Sequence, residues 1–286
     1  MIAFGGLNLI LIYCVPATGA DAIVRTVAQS FAAPQLFFFS GLVVASLSFI
    51  TLRFGKNQSL LRSVRPRSLA LRSALVIISS VFYFIAFRKL PFAEVFVFIA
   101  LVPIFAAFLS GPILGEQVRP QSWPALLASV VGMLLLHPEG IVVLNSAHLC
   151  VILSAFTGAG ALVLARHISR DEKNTLLQVF HPNLAICVVM GAVLPFVYKP
   201  MDAQDVFLIA SYASVFFIAR WVLVLVLTKM KAYVATVLMN LQFVALIIAG
   251  VVLFSETPTL GLMLGAGVIM TSGAYIVLDA ARSDRM

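Results

Sequence analysis

The sequence predicts an all-α integral membrane protein of ten transmembrane helices, arranged as two inverted five-helix repeats. Three observations lead there. The 286 residues are 62% hydrophobic and 10% charged, with a mean hydropathy of +1.09, whereas a soluble globular domain carries about 25% charged residues. The apolar residues form continuous runs, and about 20 residues rising 1.5 Å each cross a hydrocarbon core of roughly 30 Å. A closed barrel, the other spanning solution, needs alternating segments of about ten residues instead. Finally, one stretch recurs. Glu116 in ILGEQVRP is followed by SWPALLASVVGMLLL, and 140 residues later Glu256 in LFSETP is followed by GLMLGAGVIMTSGAYIVL. The chain reads as one unit present twice, residues 1–141 and 142–286.

The spans follow in order at about 4–28, 35–53, 69–87, 93–113, 121–137, 146–165, 175–198, 204–227, 232–254 and 259–279. Span one resembles a signal peptide superficially, but it lacks a positively charged n-region and its pattern runs on through Arg25. Span two ends at Arg53 in a basic turn, and span three stops at Arg88 and Lys89. Span four opens after Pro91 and closes at Gly115-Glu116; span five ends at His137-Pro138. Span six runs into the basic turn Arg166–Lys173, span seven reaches Lys199, and span eight reaches Lys229. Span nine ends before Glu256, and span ten before Arg282.

The basic residues then divide unequally. One side receives Arg53, Lys56, Arg62, Arg65, Arg67, Arg72, Arg119, Arg166, Arg170, Lys173, Lys229, Lys231, Arg282 and Arg285. The other receives Arg25, Arg88, Lys89 and Lys199, with Arg220 inside a span. The positive-inside rule puts both termini in the cytoplasm. The net charge of +8 thus lies in short turns rather than in a groove, which argues against nucleic acid as a partner. Five spans per half is an odd number, so the second unit enters the membrane from the opposite side. Inverted repeats are a construction of secondary transporters, with the site near the midplane at the repeat interface.

Polar residues inside spans mark candidate sites, because a charge at mid-bilayer costs roughly 2.5–3.5 kcal/mol on insertion scales. Asp21 and Arg25 are four apart near the outer end of span one, either a self-neutralising pair that anchors the helix end or a gate or substrate contact at the mouth. Arg220 is the deepest lone cation, either snorkelling with Trp221 as anchor or holding a polar or anionic substrate. Glu94 caps the start of span four or serves as a proton-coupling carboxylate. Glu116 and Glu256 read as turn residues. Pro103 and Pro195 lie inside spans, where proline frees a carbonyl and kinks the helix. Asn240 and Gln242 bond to neighbouring helices or line a pore. Tyr83, Tyr212 and Tyr233 furnish aromatic surface for a cavity.

Catalytic signatures are missing: there is no HExxH, GxSxG or GxxxxGK string and no clustered Cys/His set, so no cofactor or metal is expected and no enzymatic activity. His167 and Asp171 read as solvated turn residues, and Cys14, Cys150 and Cys187 as packing residues. No helix face stands out for pairing, so the oligomeric state stays open. The expected partners are a small-molecule substrate and the lipid bilayer.

The strings PFAEVFVFIALVPIFAAFLSGPILGE and VVGMLLLHPEG carry a resemblance. With Pro91, Glu94, Pro103, Gly115, Glu116, Gly132 and Pro138 in matching places, the chain resembles the drug/metabolite transporter superfamily, specifically the bacterial ten-helix EamA type. The second half agrees more loosely through Glu256, Pro258, Gly265 and Gly273. Asp21 and Arg25 are similar to a D-x-x-x-K/R pair in a branch resembling riboflavin and S-adenosylmethionine uptake carriers. Two departures stand out: Ser40 occupies a position where the family often has Arg, and Asn240 one where many relatives carry Tyr. The resemblance implies an inner-membrane carrier working by alternating access. It ranks a riboflavin-like vitamin first, S-adenosylmethionine second, and export of aromatic amino acids or drugs third. The alternative from another class is a membrane enzyme or a non-transporting subunit.

Overall fold

A computed structural model describes residues 2–54, 63–90, 95, 98–116, 118–135, 145–244 and 260–283. Among the described residues ten α-helices have defined bounds, one in each expected span, with further helical residues before the fourth and after the ninth. They are α1 (Ile2–Ser30), α2 (Ala33–Phe54), α3 (Pro66–Lys89), α4 (Val102–Leu114), α5 (Ser122–Leu135), α6 (Ser146–Ser169), α7 (Leu177–Val193), α8 (Ala203–Lys229), α9 (Ala232–Met239) and α10 (Leu260–Ser283). No strand occurs among the described residues. Helices α2, α3, α6, α8 and α7 with its following turn are each long and apolar enough to cross a bilayer.

The helix ends follow from local chemistry. At α6 the Asn145 side chain accepts from the Ala147 amide (2.8 Å), while His148 Nδ1 accepts from the Asn145 amide (3.0 Å). Asp202 and Asp205 form the same reciprocal cap on α8, at 2.8 and 3.1 Å. Helix α4 stops because Gly115 adopts φ 65°, a left-handed conformation natural to glycine. Its amide donates to the Gly111 carbonyl (2.9 Å), the bond of an αL cap, and the Glu116 amide donates to the Ser110 carbonyl (3.2 Å).

The packing obeys the predicted symmetry. Exchanging helix n with helix n+5 turns the α1–α8 contact into α6–α3, α1–α9 into α6–α4, and α2–α8 into α7–α3; all six contacts are present. The α2–α7 and α5–α10 contacts map onto themselves and straddle the pseudo-axis. Both depend on glycine. A Cβ on Gly41 would lie 2.9 Å from the Asn183 carbonyl oxygen, and one on Gly132 would lie 2.9 Å from Ile269 and 3.0 Å from the Gly265 carbonyl oxygen. Small residues let helix backbones approach this closely in lipid, where hydrophobic burial supplies no drive between helices.

Four expectations change. Pro195 lies inside a span but kinks no α-helix: α7 ends at Val193, and Leu194–Phe196 complete the span as a 3₁₀ turn, which suits a residue without an amide hydrogen. Helix α1 continues to Ser30, so Asp21 sits more than two turns inside its end rather than at the mouth. Arg72 does not belong with the basic turn; it is a buried residue of α3. His167 and Asp171 are not simply solvated, because His167 lies in the last turn of α6 and both are held by Arg65. Glu94 and Glu256 lie outside the described residues.

Candidate functional site

At the centre of the bundle is a cavity of about 210 Å³, lined from α1, α3, α6, α8 and α9 and from the start of α4, with Phe37 contributed by α2. Two helix interruptions border it. The chain turns at Ala100–Leu101 before α4 and at Asn240 after α9, 140 residues apart. Short-range amide bonds mark both turns: Leu101 to Phe98 (3.1 Å), and Asn240 to Val237 and Phe243 to Asn240 (each 3.1 Å). Pro103, the second residue of α4, has no amide hydrogen to offer the Ile99 carbonyl, and asparagine is a weak helix former. The flanking pairs Ile99 and Met239, and Val102 and Gln242, all face the cavity. Broken helices meeting across a cavity are tolerated in lipid only where protein or water covers the freed backbone.

Most of the polar candidates converge here. Asp21, Tyr83, Arg220, Asn240 and Gln242 all line the cavity. The Tyr83 hydroxyl donates to Asp21 Oδ1 (3.2 Å), joining α3 to α1. The Arg220 guanidinium lies 4.5 Å from the centre of the Phe216 ring, a cation–π contact. Phe216 in turn stacks on Tyr212, with ring centres 5.2 Å apart. Asn240 is 4% exposed, yet its Nδ2 has no partner among the described residues, and neither does Gln242 Oε1. An unpaired buried polar group costs about 1–3 kcal/mol, so a ligand that pairs these atoms gains correspondingly.

Tyr233 is elsewhere: it is buried near Ser122, Asp279 and Glu116 and does not line the cavity. Pro103 shapes the break without reaching the cavity wall. Arg25 lies one turn beyond Asp21 on α1, and its side chain is outside the described set. Among the described residues no three His, Cys, Asp or Glu side chains gather as metal ligands would.

Sequence reasoning missed Arg72 as a site residue. It is 5% exposed and faces the cavity, donating through Nη1 to the Gln178 carbonyl while its Nε has no partner among the described residues. A signal was available: Arg72, Val76, Ser79, Ser80 and Tyr83 repeat at helical spacing, and all five line the cavity. Ser79 and Ser154 exchange hydrogen bonds with each other's carbonyls (3.0 and 2.9 Å), fastening α3 to α6 beside them.

Each end of the bundle has its own closure. At one end Glu116 Oε1 accepts from Arg166 (3.3 Å) and Arg170 (2.8 Å), and Arg166 also caps the Leu227 and Thr228 carbonyls. Beside it Asp279 accepts from Arg119 (2.9 Å) and Ser122 (2.7 Å), and Arg65 reaches Asp171. Every ion pair among the described residues thus joins the first half of the chain to the second. At the other end no ion pair joins the halves among the described residues: the Gln35 side chain donates to the Lys199 carbonyl (2.7 Å) and accepts from its amide (3.0 Å), and the Lys199 ammonium donates to the Ser30 carbonyl (3.1 Å).

A profile of the EamA-like transporter family matches residues 5–137 and, a second time, residues 145–278. The chain belongs to the EamA-like transporter family. As an EamA-like transporter it is a membrane transporter of the drug/metabolite type, and its two matched segments contain the helices that contact symmetry pairs. A solved structure described only as "Crystal structure of protein" is similar at a TM-score of 0.78 and 16% identity, covering 97% of this chain and 98% of that one. At that identity the likeness speaks for the fold. No curated protein matches significantly. Within this EamA-like transporter Ser40, where the resemblance expects Arg, borders a small recess next to the cavity that Arg72 and Arg220 also line.

Proposed function

We propose that this protein is a secondary carrier that moves a small ring-bearing metabolite by alternating access, in a bacterial inner membrane with both termini cytoplasmic. The observation that carries the reading is the central cavity between two symmetry-related helix breaks, with a closure joining the two halves at each end of the bundle. Rocking of one repeat against the other opens one closure while the other holds. The repeats are taken as residues 1–141 and 142–286, and the Glu116 end faces the cytoplasm. Tyr13, Tyr83, Tyr212, Phe216 and Phe243 give the cavity aromatic walls suited to a flat ring.

By resemblance the first compound to test is a riboflavin-like vitamin taken up by the cell, followed by S-adenosylmethionine. The charge of the cavity favours a further reading. It is lined by Arg72 and Arg220 against Asp21, which fits a substrate with an acidic group, as in aromatic amino acid export. Uptake of labelled riboflavin, S-adenosylmethionine and tryptophan into oriented vesicles, with and without a proton gradient, tests the proposal. Saturable movement of any one supports a carrier and fixes its substrate. Product formation in detergent without movement across the membrane points to an enzyme.

A further inference from the structure

Next to the main cavity is a recess of about 20 Å³ between α2, α3, α7 and α8. Arg72 and Arg220 line both spaces, and Ser40, Ser80, Gln178 and Asn183 complete the polar wall of the recess. No carboxylate faces it among the described residues: Asp21 lines the main cavity only. Arg72 is buried, its Nη1 committed to the Gln178 carbonyl and its Nε without a partner among the described residues. Arg220 rests on Phe216 and makes no ion pair among the described residues. Two like charges facing one buried space repel, and the low dielectric amplifies the repulsion. An anion between the two guanidinium groups would relieve that repulsion.

Size and shape narrow that anion. A space of this volume admits a group of about a water molecule's size or slightly more, which favours a planar carboxylate over a four-oxygen phosphate. A guanidinium is a rigid fork of donors matched to two carboxylate oxygens.

We propose that this recess is the subsite that seats the carboxylate of the transported compound, with Arg72 and Arg220 as its specificity-determining residues. The inference rests on the carrier reading above and names the acidic group of its substrate. The ring lies in the main cavity along Tyr212 and Phe243, and the carboxylate points between the guanidinium groups. A carboxamide of the same shape is rejected because its NH₂ brings donors against donors.

The test uses the full chain in detergent and in liposomes, with radiolabelled indole-3-acetate, indole-3-acetamide and riboflavin as probes. Equilibrium dialysis is expected to give indole-3-acetate an affinity higher than that of the amide by roughly 30-fold or more, the range for a buried charge pair. In Arg72→Gln and Arg220→Gln that preference collapses, while retained amide binding reports an intact fold. Ser80→Asp, which builds a carboxylate into the recess, is expected to abolish indole-3-acetate binding and spare the amide. Equal affinities for acid and amide, a preference that survives both arginine variants, or no saturable indole-3-acetate binding each overturn the subsite. Counterflow in liposomes separates the two readings. Acid preference without counterflow keeps the subsite and removes the carrier; counterflow of riboflavin or the amide without acid preference does the reverse.

Discussion

Asn240 occupies a helix break and is buried, and its side-chain donor has no partner among the described residues. Asn240→Leu is therefore expected to leave the melting temperature unchanged or raised, since an unsatisfied group worth about 1–3 kcal/mol is removed. Uptake of the substrate should fall in the same variant; a drop in both would mark Asn240 as structural. Asp21 is the carboxylate of the cavity, and Asp21→Asn keeps the Tyr83 hydrogen bond while removing the charge. If Asp21 carries the coupled proton, vesicles with the variant should still exchange substrate but no longer concentrate it when a proton gradient is applied. Accumulation at the wild-type level would assign coupling elsewhere. Asp21, Arg220, Asn240 and Gln242 were legible in the sequence because lipid makes an isolated polar side chain expensive and hence conspicuous. Arg72 was not, because it follows Arg65 and Arg67 so closely that charge alone groups it with the turn.

Among the helices, the α2–α7 and α5–α10 contacts rely on Gly41 and Gly132. Gly132→Val should cost about 1–3 kcal/mol, as overpacking does, and appear as a lower melting temperature in detergent. The ion pairs differ in weight. Arg65 and Asp171 are 40% and 42% exposed, and such a pair contributes about 0–1 kcal/mol. Glu116 is 9% exposed and accepts from two arginines that are 18% and 39% exposed, so removing it costs about 1.5–3 kcal/mol, the range for hydrogen bonds to charged groups. Glu116→Ala should consequently open the Glu116 end, seen as faster thiol labelling of a cysteine placed at Leu223, whereas Arg65→Ala should change the rate little. Labelling equal to wild type in Glu116→Ala would mean that this closure is held by packing alone. All ten helices were readable from continuous apolar runs, but their ends were not. The run hid the continuation of α1 to Ser30, and proline inside an apolar stretch reads alike whether it kinks a helix or, as Pro195 does, starts the turn after one.

For the whole molecule, the duplication visible as an offset of 140 residues reappears as a contact pattern that survives exchange of the halves. The sequence could announce the repeat because Glu116 and Glu256 punctuate both copies; it could not announce that the two breaks face one cavity, since that depends on how ten helices pack. Orientation is checked by a fluorescent protein fused after Met286, which should fluoresce, together with a cysteine at Tyr198 that should react with an impermeant thiol reagent only from outside. The reverse outcome would invert the topology. One asymmetry outlasts the symmetry of the skeleton. The Glu116 end is fastened by buried ion pairs, and the Lys199 end by an amide clasp and one ammonium–carbonyl bond. Dissolved ions screen an exposed pair such as Arg65–Asp171 over about 8 Å at physiological strength and reach the buried Glu116 pairs far less. In a carrier of the proposed kind, two latches of unlike chemistry on one symmetric skeleton make its two openings unequal in cost.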